Sequence, residues 1–196
     1  MSDSCVSQQL LGLLALKGKR STVTVPGEHP EAAVLVAILE RRGELAVLLT
    51  RRARHLTLHA GESAFPGGKR DRDDPDLLTT ALREAEEEVA LPPEQFELLC
   101  TLDQHVTRSG ICVTPFVGLI PPDLPLVPNP DEVEQLFTVP LFWLCDPCNL
   151  ESFEAIYLGK SLRVPRFHYG EFEIIGVTAM ALVDLVNLAF GAGLRV

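Results

Sequence analysis

Between Asp76 and Val89 the apolar residues Leu78, Ala81, Leu82, Ala85 and Val89 recur at the spacing of one helix face. Asp73, Asp74 and Asp76 offer N-cap candidates, and Pro75 suits a first helical position. This helix stands among short strands. Ala32–Leu39 (AAVLVAIL) and Leu45–Thr50 (LAVLLT) are apolar, β-branched runs on either side of Arg42-Gly43-Glu44, which predicts a hairpin. Phe96–Leu102 and Cys112–Ile120 (CVTPFVGLI) read as further strands, and Pro115 inside the second predicts an edge or bulged strand. Pro121–Pro130 is a proline-rich loop, and Val139–Leu144 reads as a short helical turn. Ile156–Leu158, Val164–His168 and Glu173–Ile175 read as short strands, and Thr178–Phe190 as a buried helix. Strands interrupted by one central helix and closed by a terminal one predict an α/β (α+β) fold, an α/β/α sandwich with a mixed central sheet.

The polar side of the central helix raises a chemical question. With Glu84 at zero on a helical wheel, Glu87 and Glu88 fall within about 60° on either side, and the apolar stripe is centred roughly 120° away. Like charges at these spacings repel, each exposed pair costing a few tenths of a kcal/mol. No lysine follows any of the three at i+4, and Arg83 is the only basic residue in the second half of the helix. One reading is a solvated acidic helix. The other is a face for a hard divalent cation, which takes several carboxylate oxygens. The stretch in front favours the second. Gly67-Gly68 allows a tight turn and close backbone approach, so a carbonyl there could join a metal shell. Arg83 could orient a carboxylate through a charge-assisted hydrogen bond.

The formal net charge of −10 argues against a nucleic-acid backbone as partner, because phosphates need Lys and Arg. A small phosphate ligand would need a cation or a local basic patch. Arg51, Arg52 and Arg54, then Lys69, Arg70 and Arg72, bracket the glycine turn, as either solvated surface or an anion patch. Gln8–Leu16 is apolar, but Asp3 precedes it and no basic segment does, so no secretory leader is expected. No apolar run is long enough for a bilayer span, and a cytoplasmic location without a membrane partner is expected. The 5 cysteines, an odd number, are expected to be reduced thiols. Cys145-Asp-Pro-Cys148 is a lone C-x-x-C without a second pair or nearby His to complete a zinc site.

Gly68, Asp74 and Arg83-Glu84-Ala85-Glu86-Glu87-Glu88-Val89-Ala90-Leu91 together resemble the Nudix box, G-x5-E-x7-R-E-U-x-E-E-x-G-U, where U is aliphatic. The match departs in three places. Asp74 stands where the pattern has Glu, one extra residue separates it from Arg83, and Ala90 replaces the last Gly. The resemblance implies a Nudix-type α/β/α sandwich and Mg²⁺- or Mn²⁺-dependent hydrolysis of a nucleoside diphosphate linked to another moiety. By position it implies Glu84, Glu87 and Glu88 as metal ligands, Arg83 as the residue orienting a glutamate, and the Gly68 carbonyl as a further ligand. For a general base from outside the box the candidate is Glu132, in Asn129-Pro-Asp-Glu-Val; a loop acid or helix cap is its other reading.

The segment before the box resembles the signature of the coenzyme A branch, L-L-T-x-R-[SA]-x3-R-x3-G-x3-F-P-G-G. Arg52, Ala53, Gly61 and Phe65–Gly68 match in register, and Thr57 stands in place of the second arginine. The implied reaction splits the pyrophosphate of coenzyme A or its thioesters into 3′,5′-ADP and a 4′-phosphopantetheine species. Arg52 would contact a phosphate or pack its stem along a strand, with Arg51, Gly67 and Lys69 as further substrate-binding candidates. Phe65 would stack on adenine or, as most Phe do, pack in the core. His59 and His105 receive no catalytic role. One domain is expected over residues 1–196, with the box at about 68–91 and the coenzyme A-type signature at about 48–68. The expected partner is a small molecule, and the chain a monomer or homodimer. The alternatives are hydrolysis of ADP-ribose, NADH or a dinucleoside polyphosphate, or a non-catalytic sensor of such a ligand.

Overall fold

The computed structural model describes residues 9–19, 25, 27–157 and 160–195. The expected hairpin is β1 (Glu31–Arg41) and β2 (Glu44–Arg52), antiparallel from Ile38↔Val47 to Arg41↔Glu44. Arg42 (φ 54°) and Gly43 (φ 78°) both lie at positive φ, the mirror-image two-residue turn whose twist matches the flanking strands. Apolar residues run nearly unbroken in both strands because both sheet faces are covered. Val36, Ile38, Val47 and Leu49 belong to one buried cluster; Ala33, Leu35, Ala37, Leu39 and Leu48 belong to the other.

Away from the turn, β1 and β2 diverge, and the chain returns to fill the wedge. β3 (Ser63–Ala64) pairs with β2 at Thr50–Arg51, and β4 (Gly67–Lys69) pairs with β1 at Ala32–Val34. On the far side of β1, β7 (Cys112–Leu119) runs parallel to it over Glu31–Ile38. β5 (Glu97–Thr101) and β6 (His105–Val106) pair antiparallel with β7, and β8 (Val133–Pro140) with β2. The result is a mixed sheet of eight strands.

α1, described over residues 9–14, precedes this sheet. The central helix is α2 (Leu77–Val89), whose Ala81, Ala85 and Val89 bury against β1 and β7. α3 (Leu141–Leu144) follows β8 directly. On the opposite face α4 (Gly176–Phe190) buries Ala179, Leu182, Leu185 and Val186 into the other cluster. The sandwich with a mixed central sheet is therefore the observed architecture. A second, antiparallel sheet of β9 (Leu150–Tyr157), β10 (Lys160–Tyr169) and β11 (Phe172–Ile175) lies beside it. It is stapled to the first where Phe172 stacks on Phe137 with ring centroids 3.7 Å apart.

Four local expectations change. β7 is an inner strand. Its Pro115 is tolerated because the Pro115 carbonyl accepts from Leu102 N–H, so its missing donor faces the gap where pairing passes from β5 to β6. Asp76 is the N-cap of α2, accepting from Thr79 N–H at 2.8 Å, so Pro75 precedes the cap. The turn expected over Val139–Leu144 begins only after Pro140, because Val139 closes the unforeseen strand β8. The C-terminal strands are longer than their sequence signals; Leu158, like Asp3, Cys5 and Gln8, lies outside the described residues.

Candidate active site

The loop from β4 to α2 is tied to the helix by a single arginine. Arg83 donates from Nε and Nη2 to the two oxygens of Asp74, at 3.2 and 3.1 Å. Asp74 is 7% exposed and also accepts from Thr80 Oγ1 and from the Asp71 amide. The Arg83 hydrogen bonds, with the Asp71 amide next, hold the Asp74 carboxyl well below the usual carboxylate range. The same guanidinium lies 3.0 Å from Glu84 and 3.2 Å from Glu87. Arg83 thus fixes two carboxylates of the helix face from an anchor at Asp74, a partnership that the sequence left undefined because the extra residue obscured it.

Glu88 is 3% exposed. Its Oε2 accepts from Gly67 N–H at 3.1 Å, and its Oε1 lies 3.8 Å from Arg52 Nη1. Burial pushes its carboxyl up to about 7, opposed by the Gly67 N–H and Arg52 and reinforced by the charges of Glu132 and Glu84. Burial also raises Glu84, against the pull of Arg83, and Glu87 and Glu132 raise it further. Glu132 is therefore felt electrostatically at both Glu84 and Glu88. Its backbone is pinned on both sides, because Ala53 N–H donates to its carbonyl at 2.8 Å and its own N–H donates to Asn129 at 3.0 Å. Asn129 N–H in turn donates to the Glu88 carbonyl at 2.8 Å.

Two glycines make this proximity possible. A Cβ at Gly68 would overlap the Glu84 carboxylate, and a Cβ at Gly67 would overlap the Ala33 and Val34 backbone. Gly67 also has a φ of 146°, which L side chains rarely adopt. In the β1–β4 ladder Leu35 N–H donates to Pro66 and Arg70 N–H to Glu31, so the intervening hydrogen-bonded pair is Ala33 with Gly68. The Gly68 carbonyl thus faces β1 with one lone pair in use, and the Gly67 peptide faces the carboxylates.

A family model for the NUDIX domain matches residues 29–152, from the start of β1 to the start of β9. The chain belongs to the Nudix family. It is 41% identical over 160 residues to the uncharacterized Nudix hydrolase NudL of Shigella flexneri serotype 5b, covering 82% of this chain and 83% of that one. Among solved structures it is similar to the Nudix hydrolase RenU of M. smegmatis, with 28% identity, a TM-score of 0.50 and coverage of 59% of this chain and 73% of that chain. A MutT/nudix family protein of Enterococcus faecalis shares the fold at 18% identity and a TM-score of 0.53, over 87% of this chain and 64% of that one. Hydrolase chemistry and a divalent metal ion, which Nudix hydrolases generally use, come with this membership.

The expected donor set, Glu84, Glu87 and Glu88, is of the kind a hard cation takes. The charge of Glu132 raises the proton affinity of both Glu84 and Glu88, with Glu87 adding to the rise at Glu84 and Glu84 to that at Glu88, and clustered carboxylate oxygens relieve such repulsion by sharing a divalent ion. Among the described residues no group of three His, Cys, Asp or Glu side chains is posed to hold an ion as it stands. The reason lies in their present partners: Glu84 and Glu87 turn to Arg83, and Glu88 to Gly67.

The remaining expected site residues disperse. Arg51 points to the other face, donating to Glu171 at 2.8 Å, Gln135 at 2.8 Å and Glu134 at 3.3 Å, with its guanidinium 5.2 Å from the centre of the Phe172 ring. Phe65 is 3% exposed inside the core cluster and offers no open ring face for adenine. Lys69 is exposed beside the site, with its carbonyl 3.5 Å from Arg83 Nη2. His59 pairs with Glu62, and His105 pairs with Asp184 of α4 at 2.7 Å. Cys145 and Cys148 are free thiols, raised by burial and by the Asp146 hydrogen bond respectively, which disfavours the thiolate a metal would need. Among the described residues no helix is long and apolar enough to cross a membrane.

Proposed function

We propose that this Nudix hydrolase cleaves the pyrophosphate of coenzyme A and its thioesters, yielding 3′,5′-ADP and a 4′-phosphopantetheine species. One observation supports this reading most. Arg52, from the coenzyme A-type signature, and Glu88, from the box, approach to 3.8 Å beside the Gly67 turn that joins the two signatures. Two adjoining sequence patterns thus meet across the turn that joins them.

In this reading Glu84, Glu87 and Glu88 hold Mg²⁺ or Mn²⁺, with a backbone carbonyl from Gly68 or the inward-facing Gly67. The bound ion would neutralise phosphate charge and lower the pKa of the attacking water. The chain's own groups supply the rest. Arg83, anchored on Asp74, aims Glu84 and Glu87. Arg52 meets a phosphate oxygen, as does Lys69 from the exposed end of β4. Glu132, held by its backbone bonds, takes the proton as water oxygen bonds to phosphorus. The bridging P–O bond breaks, and its electron pair leaves with the departing phosphate.

A second reading, hydrolysis of another nucleoside diphosphate derivative, is favoured by the loop around Thr57. Arg54 and His59, which could stand in for the missing arginine, are engaged with Glu134 and Glu62. Parallel rates on coenzyme A, ADP-ribose, NADH and dinucleoside polyphosphates, with Mg²⁺ and Mn²⁺ and product identification, separate the two. Coenzyme A is expected to react fastest and release 3′,5′-ADP. Preference for another substrate, or no 3′,5′-ADP with either metal, rejects the coenzyme A reading.

A further inference from the structure

Beside α2 a groove of about 830 Å³ runs between the sheet face and the proline-rich loop. Leu48, Leu136 and Thr138 of β2 and β8 line its floor, and Pro122, Pro125 and Pro128 its wall. The near end adjoins the candidate site. Pro128 and Glu134 line the groove and flank the segment Asn129–Val133, which carries Glu132 and bonds to the Glu88 carbonyl. Val133 lies opposite Arg52, and Pro140, at the far end, lies opposite Ala46. At about 3.3 Å per residue, that stretch of β8 spans about 23 Å, so the groove suits an extended chain.

Its chemistry argues against the nucleotide half of the substrate. The lining carries two cations, Arg41 and Arg42, and two carboxylates, Glu44 and Glu134, so its formal charges sum to zero and give no excess positive charge to draw a phosphate. The two aromatic lining residues are already engaged. Phe137 is covered by Phe172, and Tyr169 meets Trp143 edge-on with centroids 5.0 Å apart. A purine would find no open face to stack on. The wall prolines lack N–H groups, leaving the loop richer in carbonyl acceptors than in donors. A flexible, uncharged ligand with methylene segments and amide N–H donors satisfies both surfaces.

We propose that this groove binds the pantetheine arm of the substrate, running from the pyrophosphate at Arg52 toward Pro140. This rests on the coenzyme A reading above. Thr138→Phe would fill the floor without touching the carboxylates. In that variant KM for coenzyme A and the inhibition constant of 4′-phosphopantetheine should each rise roughly tenfold, while that of 3′,5′-ADP stays within about twofold of wild type. An equal rise for 3′,5′-ADP, or no rise in a variant whose melting curve is native, overturns the assignment. Unphosphorylated pantetheine, tested on the wild-type enzyme, should compete with coenzyme A. Absence of competition overturns the assignment even if the variant does not fold. If coenzyme A is cleaved but these tests fail, only the groove assignment falls; if coenzyme A is not cleaved, the parent reading falls with it.

Discussion

At the scale of single residues the decisive group is Glu88, a carboxyl that is 3% exposed and whose pKa burial pushes to about 7. Its ordinary value is 4.5, so without metal the folded chain binds this proton more tightly than the unfolded chain does. The metal-free protein should therefore gain stability as pH falls through about 7 toward 4.5, and lack that contribution at higher pH. Glu88→Gln removes the buried charge. In chelator at pH 8 it should melt higher than wild type by ~2 kcal/mol, discounted from ~1.4 kcal/mol per pKa unit for the cost of burying an amide. The gap should close by pH 5, and turnover with metal should be lost. Melting curves across pH, paired with a turnover assay, check this; retained turnover, or no gap at pH 8, would refute the role. The sequence displayed the shared face of Glu84, Glu87 and Glu88, because that follows from helical spacing alone. Asp74 as the partner of Arg83 was hidden, because a contact across nine positions depends on how the intervening loop closes.

At the scale of elements, the wedge between β1 and β2 brings β4 against α2, and its two glycines fail differently when substituted. Gly68→Ala should keep the fold and displace the Glu84 carboxylate, which can rotate away; activity should fall by roughly 10²-fold with little change in melting temperature. Gly67→Ala meets main chain, which cannot give way, at a φ unsuited to L residues. It should lower the melting temperature markedly. Thermal melts and activity assays on the pair test the distinction; a Gly68→Ala enzyme of full activity would count against Glu84 as a working ligand. The hairpin and α2 were legible because each is specified locally, by a turn and by a periodic stripe. β4 and β8 were not. A three-residue strand containing two glycines carries no periodic signal, and β8 acquires its identity only by pairing with β2. The inner position of β7 was masked for a similar reason: Pro115 is harmless only because of where the neighbouring strand breaks.

At the scale of the whole molecule, the adjacent arginines of β2 serve different bodies. Arg51 links the main sheet to Glu171 and Phe172 of the second sheet, and Arg52 faces Glu88. Arg51→Ala should lower the melting temperature and leave KM for coenzyme A near wild type. Arg52→Ala should raise KM by about 10- to 100-fold in a protein of native stability. Reversal of these effects in steady-state kinetics and melts would exchange their roles. Period-two alternation allowed the two side chains to part, but which face held the site depended on the three-dimensional path of the segment around residue 129. That segment also completes the C-terminal end of α2, where Val127 N–H donates to the Val89 carbonyl and Asn129 N–H to the Glu88 carbonyl. The wall of the groove and the last turn of the acidic helix are thus joined through main chain, with no side chain between them. A ligand that moved the loop would move those peptides, and an ion held by Glu88 would bear on the loop through them. If occupancy at one place shifts these peptides, occupancy at the other is coupled to it reciprocally and by the same free energy, and no single side-chain replacement deletes the connection.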